Sequence, residues 1–501
     1  MAQWKQGVWF PRWAALANFG FGEPRFVFYP PASWIMGSVI SKVLPWTIAS
    51  CVFLWIALTL AGTSMFLLAR RWLSRRDALF AAVLFAVNPY HLVIVYWRSA
   101  FAELLAASLV PLLLLCVLKA AEEGRRAIMP LGLVLAGAWL VNAPAAVMIH
   151  YSLALLVVFL AWRNRSPRVV LVAGVSILLG AALASFYLLP AIYEQRWVQI
   201  GNAVSAGARP ADNFLFVHTT DADHDAFNRL ISWVAVLEIV AVAGLLWAAR
   251  MRKQTRTGVS TPHRSLWFAL VGWAIPCSVM MMPGTTVLWR ILPKMQFMQF
   301  PWRWLLCLSM MFSLLVAVAL SRWSARAVVC SVGVLVIVMG WHRIQAPWWD
   351  NSADLREMQD NLESGIGYEG TDEYLPLGAD KENIDKDSRK VTVEGPGHAA
   401  LVVQRWDAES KAFTAEMSAA DQIAVKLFRY PAWQVRVNGR MVEPAAREGT
   451  GQMLVPVGQG MNQVEIQLVR TWDRLLGGWI SLATLLSMIL WGAVSRKRYN
   501  P

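Results

Sequence analysis

Up to about residue 342, and again near the C-terminus, apolar residues come in unbroken runs, not in alternation with polar ones. The runs fall near 46–68, 78–96, 101–118, 128–140, 143–162, 169–188, 230–249, 266–282, 304–320, 327–341 and 475–494. One bilayer-spanning helix needs roughly twenty such residues, so the pattern predicts about eleven transmembrane helices. The connections at 70–76, 119–126, 163–168, 250–264, 322–326 and 496–498 carry clustered arginine and lysine. Positive charge is held on the cytoplasmic side. These six connections are therefore expected inside, with the C-terminus. The segments 1–45, 97–100, the Asn142 region, 190–229, 283–303 and 343–474 are expected outside.

Between the last two runs the pattern changes to a polar segment. Residues 350–389 are charge-rich and weakly patterned, whereas 390–393, 399–405, 412–416, 423–428, 433–437, 441–442, 453–455 and 463–469 alternate with the period of strands. Asn438-Gly439 sits between two of these as a two-residue hairpin turn. The expected fold is a mainly α polytopic membrane protein with a C-terminal extracytoplasmic β-sandwich-like domain and a last anchoring helix. Its divisions are an outer aromatic, Pro- and Gly-rich loop over 1–45, a multi-helix membrane domain over 46–342, a β-rich domain over 343–474, and a helix with a cytoplasmic tail over 475–501.

Composition agrees: 57% of the residues are hydrophobic and 27 are tryptophan, outside the range of soluble domains. A net charge of +14 would point to nucleic acid in a soluble protein, but much of the arginine here lies in short loops between apolar runs. No nucleic-acid partner is inferred. Cys51, Cys116, Cys277, Cys307 and Cys330 all fall inside apolar runs and read as small hydrophobes, not as disulfides or metal ligands. No Walker A, GxSxG, HExxH or Rossmann fingerprint is present, so soluble-nucleotide chemistry has no support.

The stretch 7–31, GVWFPRWAALANFGFGEPRFVFYPP, holds eight aromatics, four prolines and three glycines. It is apolar yet too broken to span a membrane, and reads as a structured loop at a membrane face. Trp9, Trp13, Phe26, Phe28 and Tyr29 can sit at headgroup depth. The stretch either anchors the protein or covers a membrane cavity as a substrate-binding loop.

Ionisable residues near the outer helix ends are the first place to seek chemistry. Glu103 stands in the first turn of an apolar helix, close to Arg98. It is either a wet helix-end acid paired with Arg98, or a carboxylate facing an outer cavity and able to take a proton or orient a hydroxyl. Arg303, in QFPWRW with Gln299, either binds a phosphate beside its aromatics or snorkels to headgroups. Tyr193-Glu-Gln-Arg196 reads as a solvated helix end. His218-Thr-Thr-Asp-Ala-Asp-His-Asp225 has metal-ligand residue types at a spacing that fits no standard set, so a divalent-metal cofactor is left open. Asn142 and His150 read as bundle-packing polar groups.

Four segments in order, GVWFPRW…NFGFGEPRFVFYPP, YWRSAFAELLA, QFPWRW and RYPAWQVRVNGR, give the chain its family likeness. It resembles a bacterial membrane-protein group labelled 6-pyruvoyl-tetrahydropterin-synthase-related and, more widely, the GT-C superfamily of integral-membrane glycosyltransferases. The resemblance implies transfer of a sugar from a polyprenyl-phosphate donor to a glycan or protein acceptor, outside the bacterial cytoplasmic membrane, with membrane lipid as a further partner. It implies Glu103 and Glu23 as catalytic acids. Arg12, Trp13, Arg25, Tyr29, Arg98, Gln299 and Arg303 are then expected to bind substrate. Pterin chemistry would call for three gathered histidines, and the seven here are scattered. A non-catalytic transporter or assembly protein for lipid-linked glycans is the alternative, although the halves show no internal symmetry. The family's essential acid lies just after a first helix, whereas this sequence starts inside that loop. Lys5, Arg12 and Arg25 also stand outside with no apolar segment ahead of them. A further upstream helix is therefore expected.

Overall fold

The computed structural model describes residues 2–255, 262–320, 322–344 and 352–499. The chain divides into two compact units. A mixed unit comprises Met1–Tyr29, Ser185–Ala203 and Trp348–Ile480, and a helical unit comprises Pro30–Ala184, Val204–Pro347 and Ser481–Pro501.

Among the described residues, seven helical segments are long and apolar enough to cross a membrane: Trp46–Ala69, Arg75–Trp97, Phe101–Val141, Ala143–Asn164, Ala222–Met251, Pro301–Ala319 and Trp472–Ala493. Two bent pairs, Arg168–Leu183 with Ser185–Trp197 and Leu266–Val279 with Pro283–Ile291, raise the number to nine if each pair is one span. Of the eleven expected, seven to nine are thus shown among the described residues. The runs 101–118 and 128–140 share one 41-residue stretch, 169–188 and 266–282 fall in bent pairs, and 327–341 meets a shorter apolar helix, Trp323–Leu335. Hydropathy reports apolar content but not where a helix axis breaks. Within the longest stretch the break is at Gly124, whose φ of +62° ends the helix Leu109–Glu123 before Ile128–Val141 begins.

In the helical unit, polar residues appear where helices start. Ser74 Oγ accepts from Asp77 N at 3.2 Å, and Asn142 Oδ1 accepts from Ala145 N at 2.9 Å, so Asn142 is a helix cap. His150 Nδ1 lies 2.8 Å from the carbonyl of Ala146 on its own helix. Basic connections expected on one side of the membrane meet one another. Arg71 pairs with Glu122, and buried Arg326 donates to Asp77 at 2.6 Å.

In the mixed unit two antiparallel sheets share one core. β1 (Val391–Val393), β4 (Asp421–Phe428), β7 (Ala445–Ala446) and β8 (Gln452–Val457) form one, in the order β1-β4-β8-β7. β2 (Ala399–Trp406), β3 (Ser410–Met417), β5 (Trp433–Val437), β6 (Arg440–Val442) and β9 (Gly460–Leu468) form the other, in the order β2-β3-β9-β5-β6. Alternation decides which side faces in: Trp433, Val435 and Val437 are buried while Gln434 and Arg436 are exposed. Phe413, Ile423, Val435, Val455 and Ile466 meet between the sheets, which makes the arrangement a sandwich. Asn438 and Gly439 have φ of 53° and 77°, the conformation of a two-residue hairpin turn, and join β5 to β6. Eight of the strands match the expected segments. β7, two residues long, is too short to show a period. The weakly patterned segment contains the helix Ser352–Ser364.

The stretch 7–31 is largely built into this unit. Trp13 is 1% exposed and packs edge-on against Trp433 at 5.5 Å, and Phe428 N donates to the Phe21 carbonyl at 3.1 Å. The expectation that Trp13 and Phe28 sit at headgroup depth is corrected, since both rings are buried in the protein core. Trp9 is 73% exposed.

Lys411 sets a pH dependence for the sandwich. It is buried, its Nζ donates to the Asp407 carbonyl at 2.9 Å, and it lies 4.7 Å from the Trp433 ring centroid. Burial lowers its ammonium to about 8, against 10.5 ordinarily. Below pH 8 the folded and unfolded states both hold the proton. Between pH 8 and 10.5 the unfolded state holds more, so stability rises with pH through that window, by about 3 kcal/mol at most. Lys411→Met should abolish this rise. Hydrogen exchange of β3 and β5, compared between variant and wild type at each pH, reads it.

Candidate functional site

The sequence 93–103 folds back on itself. Val93–Trp97 forms a π-helical turn, Ser99 takes a left-handed φ of 47°, and the helix Phe101–Ala107 then starts with Glu103 in its first turn. π turns often re-aim side chains at functional positions. Here the turn brings Arg98 back onto Glu103. From the other side, Gln299, at φ 63°, and Pro301 bend the chain into the 3₁₀ turn Pro301–Trp304, which carries Arg303 inward.

Glu103 is 1% exposed. Its Oε2 accepts from Arg98 Nη1 at 2.5 Å and from Arg303 Nε at 3.0 Å, and its Oε1 accepts from the Tyr90 hydroxyl at 2.6 Å. Arg303 Nη1 donates to the Met298 carbonyl and, at 3.4 Å, to Gln299 Oε1. The Arg98 guanidinium lies 4.7 Å from the Phe300 ring centroid and 5.0 Å from that of Trp302, two rings stacked at 4.8 Å. Beside them the buried Trp302 Nε1 has no hydrogen-bond partner. The expected pair of Glu103 with Arg98 exists, but it is buried, not wet. Two guanidiniums face one carboxylate, so the group carries one net positive charge among apolar side chains. Such a group can hold an anion, and the planar guanidinium donors suit phosphate.

Four of the expected site residues, Arg98, Glu103, Gln299 and Arg303, are thus brought together. The others lie in the mixed unit. Glu23 is fully buried and accepts from Asn18 Nδ2, Thr371 N and Thr371 Oγ1, each at 3.1 Å, and from Arg25 Nε at 2.7 Å. A carboxylate has about four lone-pair directions, and four donors occupy them. A Cβ on Gly370 would stand 2.4 Å from Glu23 Oε2, so no substrate hydroxyl fits there. Glu23 ties the stretch 7–31 to the segment around Thr371. Burial works against the Arg25 guanidinium, but the Glu23 carboxylate outweighs it and holds Arg25 above its ordinary value. Arg12 Nη2 donates to the Phe186 carbonyl and its backbone N to Glu409 Oε1, both at 3.2 Å. Burial, reinforced by the like charge of Arg474, lowers Arg12 to about 10. Tyr29 is 37% exposed.

Glu194, expected at a solvated helix end, is fully buried and takes Arg474 bidentately at 2.7 and 2.8 Å, with the Tyr430 hydroxyl donating as well. Its partner Arg474 stands 280 residues away, beyond the reach of local patterning. His218 Nδ1 lies 3.0 Å from Asp225 Oδ1, and Arg229 donates to the other oxygen at 2.9 Å. Among the described residues no three His, Cys, Asp or Glu side chains gather closely enough to hold a metal ion. Sequence reasoning passed over Glu238, which is half-buried on the same helix face as the buried residues Ala235 and Val242. The signal was a lone acid within the apolar run 230–249.

The Glu23 tie is testable by a near-isosteric change. Thr371→Val removes one hydrogen bond to Glu23 and the 3.2 Å contact from Arg25 Nη2. Stability of the mixed unit should fall by about 1–3 kcal/mol, with faster hydrogen exchange confined to residues near 14–25 and 368–374.

The family model described as the 6-pyruvoyl-tetrahydropterin synthase related domain, a membrane protein, matches residues 26–346. The matched region contains Tyr90, Arg98, Glu103 and Arg303, the whole buried cluster. No curated protein and no solved structure gives a significant match. With well over half of the chain matched, this protein belongs to the 6-pyruvoyl-tetrahydropterin synthase related family of membrane proteins.

Proposed function

We propose that the protein is a membrane glycosyltransferase of the GT-C type, moving a sugar from a polyprenyl-phosphate donor to a glycan or protein acceptor outside the bacterial cytoplasmic membrane. The observation that carries this reading is the net positive group of Arg98, Arg303 and Glu103, buried beside stacked aromatic rings. In this reading Arg98 and Arg303 hold the departing phosphate, where fixed donors act on developing charge. Glu103 aims the two guanidiniums, since both of its oxygens already accept. The half-buried Phe300 ring beside them can line the path of a sugar or an isoprenoid. The β sandwich and the stretch 7–31 lie outside the cytoplasm, and the C-terminal tail inside.

One observation favours a second reading, a non-catalytic transporter or assembly protein for lipid-linked glycans. Glu23 and Glu103, the two carboxylates expected to do chemistry, are both engaged by neighbouring donors. The separating experiment uses the full chain in nanodiscs, decaprenyl-phosphate-linked radiolabelled hexose, and membrane extract as acceptor. The proposed function predicts movement of label to the acceptor, and a loss of roughly a hundredfold or more in Arg303→Gln. Label that stays on a bound lipid supports the second reading, and failure to bind the lipid sinks both.

A further inference from the structure

We propose that Glu103 is a specificity-determining residue that matches the site to one negative charge, so that it favours a phosphodiester-linked lipid over the corresponding phosphomonoester. The inference rests on the lipid-phosphate reading given above. The charged and titratable groups facing Glu103 are Arg98, Arg303, Tyr90 and, at longer range, His91. With the two guanidiniums charged and the Tyr90 hydroxyl donating as a neutral phenol, Glu103 reduces a group of two positive charges to one.

A sugar joined to a polyprenyl phosphate is a phosphodiester and carries one negative charge. When the sugar is transferred, the bond from the anomeric carbon to the phosphate oxygen breaks and its electron pair stays on that oxygen. The acceptor oxygen takes the anomeric carbon and its proton is released. The lipid left behind is a phosphomonoester, whose second ionisation lies near pH 6 and which is therefore close to dianionic above neutrality. Binding the diester brings the site to neutrality. Binding the dianion leaves one surplus negative charge close to the Glu103 carboxylate, in surroundings that screen poorly. Glu103 thereby weakens the hold on the product relative to the donor, which favours release after transfer.

Access and donors fit this role. Arg98 is the most exposed of the three charged side chains, at 14% against 2% for Glu103 and 7% for Arg303. Of its guanidinium nitrogens, Nη1 holds Glu103. Beside it the partnerless Trp302 Nε1 is a donor waiting for an acceptor. An incoming phosphate meets Arg98 first, and Trp302 Nε1 only once neighbouring side chains move aside.

The test measures binding of decaprenyl phosphate and of its methyl diester to the full chain in nanodiscs, across pH 5.5 to 8. In the wild type, diester affinity should stay flat while monoester affinity rises roughly tenfold or more as pH falls and the monoanion forms. The diester serves as control for any titration of the protein itself. Glu103→Gln should tighten the monoester at pH 8 at least tenfold more than the diester. Equal affinities for the two lipids at every pH would overturn this inference and leave the lipid-phosphate reading standing. Failure of the wild type to bind either lipid would overturn both. Where Glu103→Gln fails to fold, the wild-type pH comparison still decides whether the site is matched to one negative charge.

Discussion

A carboxylate cannot be left alone in an apolar bundle, and the helical unit meets this constraint by closing two guanidiniums and a phenol around Glu103. The stretch from Tyr90 to Glu103 must meet Arg303, 200 residues further along, for this to work. Tyr90 comes from a short helix capped by Asn88, Arg98 from the π turn, and Arg303 from the 3₁₀ turn after Gln299. Each of these is a local irregularity in an otherwise regular bundle.

The mixed unit repeats the solution with different partners. Glu23 is held by Asn18, Arg25 and Thr371, and Glu194 by Arg474 and Tyr430. Each tie joins segments separated by hundreds of residues. In both cases the carboxylate organises the backbone around it. The three sites differ in charge balance: Glu23 meets one guanidinium and Glu194 one, whereas Glu103 meets two. That imbalance distinguishes the Glu103 group as a place for an anion, while the other two read as structural ties.

What was legible in the sequence follows from the range of the forces concerned. Strand alternation and the Asn438-Gly439 turn act over a few residues, and they located eight of nine strands. Apolar runs located the membrane helices, but the bends inside the runs 169–188 and 266–282 leave no mark in hydropathy. Arg98 and Glu103, five residues apart, could be paired from sequence, whereas the 200-residue link from Glu103 to Arg303 could only be guessed from their shared position at helix starts. Glu194 was misread as solvated, and the partners of Glu23 went unseen, because the groups that hold them come from Arg474 and Thr371, which no local pattern announces.

The central claim is that Glu103 and Arg303 act as one buried unit, each needing the other. A double-mutant cycle of Glu103→Gln and Arg303→Gln, followed by unfolding of the protein in nanodiscs, measures this directly. The account predicts that the two losses are strongly non-additive, with a coupling of about 1.5–3 kcal/mol, because the first change already strands the partner. Losses that add to within about 0.5 kcal/mol would contradict it, and would show the two side chains to be independent neighbours.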